Sequence, residues 1–517
     1  MEFPAPAAAA TSPWPSGHAE LRVPARLAEL RQSQIDLVGV ASVEGGEMAR
    51  YLLAAGFTNL VGHDQQPDLE SLRRSHHLAH AGMDPKARQQ RLEELLTGLR
   101  SLHLAGEYLK EIEKSSLIIP TQAWFLAAAN APLQKLKEKG HPFYSLIQAY
   151  LDLARGEVVG ITGTHGKSTT SSLVAALVPQ SGLYPTVWLA GNDRHDRQAL
   201  LEVAADDGTG CLILEISNRQ LLQLERAPRV ACLTNITPNH LDEHQGLAGY
   251  VAAKRRIFEL PGCEVAIRNG DDAQSLAGGD LRTEIRQLRF AHGQEQLSGL
   301  DGAYEEDGLL RLRWQGTSRP VMATASVPLL GRHNLSNVRA ALTVLAVLAP
   351  PEPDQLAQAA QAIENFRPLR HRTELVRQHG GIDYVDDLSS TTPQSTVAAI
   401  LGLNRPCILI AGGEDKGIDF GELSAMVGGL VKRVLLLPGK GSDRLAEEVS
   451  RTGREELVSR VGTLQEAVGL ATELAQPGDT VLLSPACPGF FSAHYRQGGF
   501  RRAVRDATSP HPRREPE

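Results

Sequence analysis

Residues 160–170, GITGTHGKSTT, set three glycines, a lysine and a run of hydroxyls between an apolar stretch and a helical one. A backbone of this kind turns its N–H groups toward an anion, and the N-terminal end of the following helix adds a partial positive charge. In this order Lys167 supplies a cation to the β- and γ-phosphates of a nucleotide, and the Ser168 hydroxyl is placed to ligate Mg2+. The strict Walker spacing is absent, because it would need Gly at 161, which is Ile161. A chance Gly-Lys-Ser turn is the alternative; the strand–loop–helix setting favours phosphate.

Other groups with chemical potential follow. Glu215 ends the apolar run CLILEIS, and TNITPNHLDEH carries Asn235, Thr237, His240 and Asp242. Lys254 lies in YVAAKRRIF, and GRHNLSN supplies Asn334 and Asn337. By residue type alone, Glu215 is a solvated strand-end carboxylate and Lys254 a plain helix-surface lysine. Farther on, DYVDDLSSTTPQSTVAAI (383–400) joins two adjacent carboxylates to a cluster of hydroxyls and a proline, with no positive charge.

The elements that must position these groups fall into three blocks. The first runs from IDLVGVASVEGGEMARYLLAAG, read as strand, Gly-containing turn and helix, into the strand FTNLVGHD. It resembles half of a dinucleotide-binding unit, but Gly39, Gly45 and Gly46 lack the GxGxxG spacing, so an ordinary α/β turn is an equal reading. Leu92, Leu95, Leu96 and Leu99 repeat at helical spacing and read as core. SSLIIP is a later strand. The second block opens at the phosphate loop, continues through CLILEIS and VACLTNIT, and closes with GRHNLSN as a loop before a helix. In the third, CILIAGG, RVLLLPG and TVLLSPA alternate with helical stretches. Such alternation implies α/β architecture: three domains, each a mostly parallel sheet flanked by helices. The expected boundaries are a disordered tail over 1–19, domains over 20–153, 154–366 and 367–507, and a second tail over 508–517.

With 517 residues, 42% of them hydrophobic, each domain has enough apolar material for a core. A net charge of −7 argues against a general nucleic-acid binder. Five cysteines without CxxC or Cys/His spacing fit a reducing, cytoplasmic compartment. The first residues lack the basic and apolar regions of a secretory signal, and no apolar run is long enough for a membrane span.

The spelling T-G-T-x-G-K-[ST]-[ST]-T, together with Glu215, the 235–242 segment, Lys254 and GRHNLSN, resembles the Mur ligases. The resemblance implies Rossmann-like first and last domains around a P-loop ATPase centre. It implies that Gly163, Thr164, His165, Gly166, Lys167, Ser168 and Thr169 hold ATP, with Asn334 and Asn337 near the adenine. Two Mg2+ sites are expected, drawn from Ser168, Glu215, His240 and a carbamoylated Lys254. Carbamoylation turns a cation into a carboxylate-like oxygen ligand suited to a hard metal. Lys167, Glu215, His240, Lys254 and Arg372 are the implied catalytic set.

The third block bears on which member it resembles. LRHRTE supplies Arg372, which the family aims at a phosphate. VDDLSSTTPQST, GGEDKGIDF and LLSPACPGFFSAHYRQGGF are similar to three segments of the glutamate-adding member. Asp387 then falls on the ATP ribose. The substrate positions are Asn192, Ser389, Ser390, Thr391, Lys416 and Gly489. The implied reaction adds glutamate, D-Glu before L-Glu, to UDP-N-acetylmuramoyl-L-alanine through an acyl phosphate in peptidoglycan synthesis. The expected protein is a cytoplasmic monomer with no nucleic-acid or membrane partner. Two positions depart from the pattern: Ser389 stands where the family has lysine, and Gly489 where it has serine. Each lost charge-assisted hydrogen bond costs about 1.5–3 kcal/mol, roughly ten- to a hundredfold in binding. The alternatives are an L-glutamate-adding branch and a catalytically altered ligase fold that binds or regulates.

Overall fold

The computed structural model describes residues 21–192, 198–238, 243–415, 417, 419–489 and 499–509. The chain divides into two compact units. One comprises residues up to Thr324 together with Asn337–Ile363; the other comprises Ala325–Ser336 together with residues from Glu364 on.

Within the first unit, β1 (Ile35–Val38), β2 (Leu60–Asp64), β3 (Ser101–Leu104) and β4 (Leu117–Pro120) form a parallel sheet in the order β3-β2-β1-β4. β1, β2 and β4 are buried at every position, as expected of parallel strands covered on both faces. The leucine stripe lies on the Pro85–Gly98 helix, where Leu92, Leu95 and Leu96 are buried. Asp84 caps that helix by accepting Lys86 and Ala87 N–H.

The central sheet is β5 (Glu157–Thr162), β6 (Val187–Gly191), β7 (Cys211–Glu215), β8 (Val230–Leu233), β9 (Val265–Asn269) and β10 (Arg286–Phe290). It is parallel, in the order β10-β9-β8-β5-β7-β6. The phosphate loop therefore leaves the carboxyl end of β5, between β7 and β8, where open α/β sheets place ligands. One continuous core holds residues of both sheets' helices, with Tyr51 and Leu52 beside Tyr150, Leu200 and Val203.

A small antiparallel sheet, β11 (Gly302–Glu306), β12 (Leu309–Trp314) and β13 (Thr317–Ala323), was not expected from strand–helix alternation. Its turns are Asp307-Gly308 and Gln315-Gly316, all four residues at positive φ, the conformation a two-residue hairpin needs.

In the second unit, β14 (Glu374–His379), β15 (Ile382–Asp386), β16 (Cys407–Gly412), β17 (Val431–Leu436), β18 (Val458–Arg460) and β19 (Thr480–Ala486) follow the order β14-β15-β19-β16-β17-β18. Only the β14–β15 pair, turned by Gly380 and Gly381 at positive φ, is antiparallel. GRHNLSN is not a loop: helix Arg332–Leu348 already begins there, so Asn334 and Asn337 are one helical turn apart.

Leu214, fully buried in β7, and Leu183, 54% exposed, provide a contrast. Leu214→Ala is expected to lower unfolding free energy by about 2–5 kcal/mol. Leu183→Ala should stay within about 0.5 kcal/mol. Urea unfolding of both variants measures the difference.

Candidate functional site

Gly163 to Gly166 connect β5 to the Lys167–Leu177 helix, and the segment after β8 clamps them from one side. Asn235 accepts Thr164 N–H at its backbone carbonyl (2.8 Å) and His165 N–H at Oδ1 (2.9 Å). Its Nδ2 donates to the His165 carbonyl (3.0 Å), which also receives the Thr234 hydroxyl (2.6 Å). The loop depends on glycine at two close approaches. A Cβ on Gly163 would stand 1.8 Å from Thr234 Oγ1, and one on Gly166 would stand 2.2 Å from Asn337 Oδ1. Thr170 donates to that same Asn337 oxygen (3.3 Å), so Asn337 packs against the loop itself. Thr169 is buried in the helix's first turn, and Ser168 lies beside it.

Two lysines converge on one acceptor. Lys254 Nζ donates to the Gly163 carbonyl at 2.8 Å, and Lys167 Nζ donates to it at 3.0 Å and to the Thr164 carbonyl at 3.1 Å. Lys254 is 1% exposed and lies over the Tyr250 ring at 4.9 Å. Among the described residues no carboxylate pairs with it. Burial, and then the neighbouring Lys167 charge, push its ammonium well below the usual lysine range. Tyr250 completes this wall: its hydroxyl lies 3.2 Å from Thr164 Oγ1, and burial raises it to about 12.

Glu215 closes β7 beside Ile161 of β5 and is 3% exposed. Asn192 holds it twice, donating its N–H to the Glu215 carbonyl (2.7 Å) and Nδ2 to Oε1 (3.0 Å). The donor set of Ser168 hydroxyl and Glu215 carboxylate suits a hard cation. A lysine amine does not, whereas a neutral buried amine converted to a carbamate does. His240 and Lys416 lie outside the described residues.

In the second unit, Arg372 sits between two left-handed residues, His371 (φ 64°) and Thr373 (φ 45°). Non-glycine residues in this conformation are costly and cluster at ligand clamps. Arg372 Nε is buried without a hydrogen-bond partner among the described residues, a donor suited to an incoming anion. Asp387 is 4% exposed; its Oδ1 accepts Thr373 N–H (3.1 Å) and its Oδ2 the Ser484 hydroxyl (2.9 Å). Burial raises its carboxyl to about 6. Asp386 faces His371 Nδ1 at 2.9 Å. Ser389 N–H donates to the His371 carbonyl (3.0 Å), Ser390 N–H to the Asp387 carbonyl (2.9 Å) and Thr391 N–H to Ser389 (3.1 Å). Ser389, Ser390 and Thr391 thus wrap around the same strained turn as Arg372. Gly489 faces Glu414, whose Cγ would be 2.6 Å from an added Cβ. Asn334 donates Nδ2 to the Leu330 carbonyl (2.7 Å) in this unit.

The spacing argument misses Thr234, Tyr250, Thr373 and Ser484. Tyr250 and Lys254 carry a legible signal: with Ile257 they stand at i, i+4, i+7 on one apolar stripe of the Leu247–Glu259 helix, so Lys254 was placed to be buried.

A strand-borne glycine loop with two lysines in one α/β unit, and a buried arginine donor in the other, define a protein built to bind nucleotide phosphate. The Mur ligase middle domain matches residues 161–345, and the Mur ligase glutamate ligase domain matches residues 371–487. The chain is 32% identical over 390 residues to the UDP-N-acetylmuramoylalanine–D-glutamate ligase of Symbiobacterium thermophilum, covering 75% of this chain and 83% of that one. It is 29% identical over 489 residues to the enzyme of that name from Caldanaerobacter subterraneus subsp. tengcongensis, covering 92% and 99%. Its fold is similar to that of the UDP-N-acetylmuramate–alanine ligase of Thermotoga maritima, with a TM-score of 0.56 and 17% identity over 92% of this chain and 100% of that one. The chain belongs to the Mur ligase family. Among the described residues no helix is long and apolar enough to cross a membrane.

Asn235→Ala removes the clamp's side-chain hydrogen bonds to His165 N–H and carbonyl. It is expected to weaken ATP binding about tenfold or more, measured by titration calorimetry.

Proposed function

We propose that this ligase joins glutamate to UDP-N-acetylmuramoyl-L-alanine in peptidoglycan synthesis. An oxygen of the substrate carboxylate attacks the γ-phosphorus of ATP, ADP leaves, and an acyl phosphate forms. The glutamate amine then attacks the carbonyl carbon, and phosphate departs with that oxygen. The observation that carries the reading is the convergence of Lys254 and Lys167 on the Gly163 carbonyl inside the phosphate loop. The names of the relatives supply the substrate pair.

In this scheme the loop N–H groups, Lys167 and Arg372 hold and neutralise the phosphates. Mg2+, when bound at two sites drawn from Ser168, Glu215, His240 and a carbamoylated Lys254, would offset charge and align the accepting carboxylate. The Lys254 amine, once deprotonated, adds to CO2 with loss of a further proton, and the carbamate so formed sets a negative charge beside Lys167. Asn192 orients the Glu215 carboxylate, and Ser389 to Thr391 line the amino-acid side. Three functional domains, over 20–153, 154–366 and 367–507, remain the working division.

L-Glutamate is the second reading: Ser389-Ser390-Thr391-Thr392-Pro393, with no lysine, resembles the spelling of an L-glutamate-adding branch.

Phosphate release with UDP-N-acetylmuramoyl-L-alanine and D-Glu, L-Glu, D-Asp or L-Ala in turn should be fastest with a glutamate. Release with none of them, while ATP still binds, rules the assignment out, and preference for L-Glu selects the second reading.

Lys254→Ala should lose most activity and regain part of it with short carboxylic acids. Carbon-13 NMR in labelled bicarbonate should show a carbamate signal that vanishes in Lys254→Ala. A fully active variant without that change in the spectrum removes the carbamate from the scheme.

A further inference from the structure

A closed ring of hydrogen bonds joins the block bearing the first sheet to the central sheet, and its donor–acceptor sense is fixed throughout. Glu44, in the first turn of the Val43–Ala54 helix, accepts Gln122 N–H at Oε2 (2.7 Å) and Gln220 Nε2–H at Oε1 (2.6 Å). Gln220 and Ser217 cap the short Asn218–Leu221 helix reciprocally. Gln220 Oε1 accepts Ser217 N–H (2.9 Å), and Ser217 Oγ accepts Gln220 N–H (3.1 Å). The Ser217 hydroxyl proton is then directed to Gln122 Oε1 (2.6 Å). The Gln122 carbonyl is also held, by Gln223 Nε2 at 3.1 Å.

One arm leaves the ring. With its oxygen committed to Ser217, the Gln122 amide presents Nε2 to Asn192 Oδ1 at 2.9 Å. Asn192, with its oxygen taken, presents Nδ2 to Glu215 Oε1 at 3.0 Å. Reversing Asn192 would set its oxygen against Glu215, and reversing Gln122 would set its oxygen against that of Asn192, so the two amides keep one sense from Ser217 to Glu215.

We propose that Gln122 is a positioning residue for Glu215: its amide sets the orientation of Asn192, which aims a donor at one carboxylate oxygen and leaves the other free for the metal. This rests on the assignment of Glu215 to Mg2+ above. Hydrogen bonds of this outer kind fix the direction of a ligating carboxylate. Glu44 and Gln122 belong to the first block, and Asn192, Glu215, Ser217 and Gln220 to the second. Metal affinity is therefore coupled to the seating of one block on the other.

The test is Mn2+ binding to the full chain with a non-hydrolysable ATP analogue, followed by electron paramagnetic resonance, alongside the metal dependence of turnover. Gln122→Glu keeps the side chain's size but offers acceptors to both Ser217 and Asn192, turning the Asn192 oxygen toward Glu215. Mn2+ affinity is expected to fall about tenfold, with the metal requirement for turnover rising equally and the KM for ATP changing less than about twofold. Gln122→Met deletes the donor without reversing it and should lose roughly threefold, the loss of one neutral hydrogen bond; it carries the test if Gln122→Glu does not fold. A merely structural role would lower thermal stability without moving Mn2+ affinity, and that result overturns the proposal. Glu215→Gln separates the two levels. If it leaves Mn2+ binding intact, the metal assignment fails and the role of Gln122 with it. If it weakens binding while both Gln122 variants bind like the parent, only the role of Gln122 is overturned.

Discussion

The Gly163 carbonyl accepts two lysine amines, and much of the central region is arranged around that contact. Two ammonium groups on one buried oxygen repel each other, and Lys254 has no counter-charge among the described residues to offset its burial. The surroundings fit a neutral or modified Lys254: the Tyr250 ring on one side, Thr164 and its contacts on another, and an apolar helix face behind. Thr234 and Asn235 restrain the loop through the His165 carbonyl, two residues beyond. With Thr164 and His165 N–H spent on Asn235, the donors left for a phosphate are those at the start of the Lys167–Leu177 helix, held in place by the same clamp.

The second unit solves a related problem with backbone strain. His371 and Thr373 adopt left-handed conformations, and the buried pair Asp386 and Asp387 holds them there through His371 Nδ1 and Thr373 N–H. Arg372 is thereby presented from a turn whose left-handed residues its neighbours hold. Asp387 spends both oxygens on internal donors, so its first effect is to shape the turn. The hydroxyl-rich stretch after it closes on the same backbone. Its lack of positive charge leaves that stretch lined by hydroxyls.

Much of the architecture was legible because parallel strands buried on both faces leave unbroken apolar runs. β5, β7, β8, β16, β17 and β19 each fall on a run that sequence alone marks. The antiparallel sheet at 302–323 carries a hairpin signature in Asp307-Gly308 and Gln315-Gly316, but its half-exposed strands leave no unbroken apolar run to mark them. The glycine and asparagines of GRHNLSN are turn formers and read as a loop, but tertiary packing of Asn337 against Gly166 outweighs that weak local preference.

By itself the sequence determined the phosphate loop, since a glycine backbone, a lysine and a helix start act within a dozen residues and need no distant partner. It determined the parallel sheets as well, through apolar runs and their spacing. Only the tertiary structure decided that Lys254 is buried against Gly163, that Asn337 packs on the loop, and that Gln122 reaches Glu215 through Asn192. Those contacts join residues far apart in the chain, and hydrogen-bond direction and burial there are properties of packed elements that no local pattern encodes.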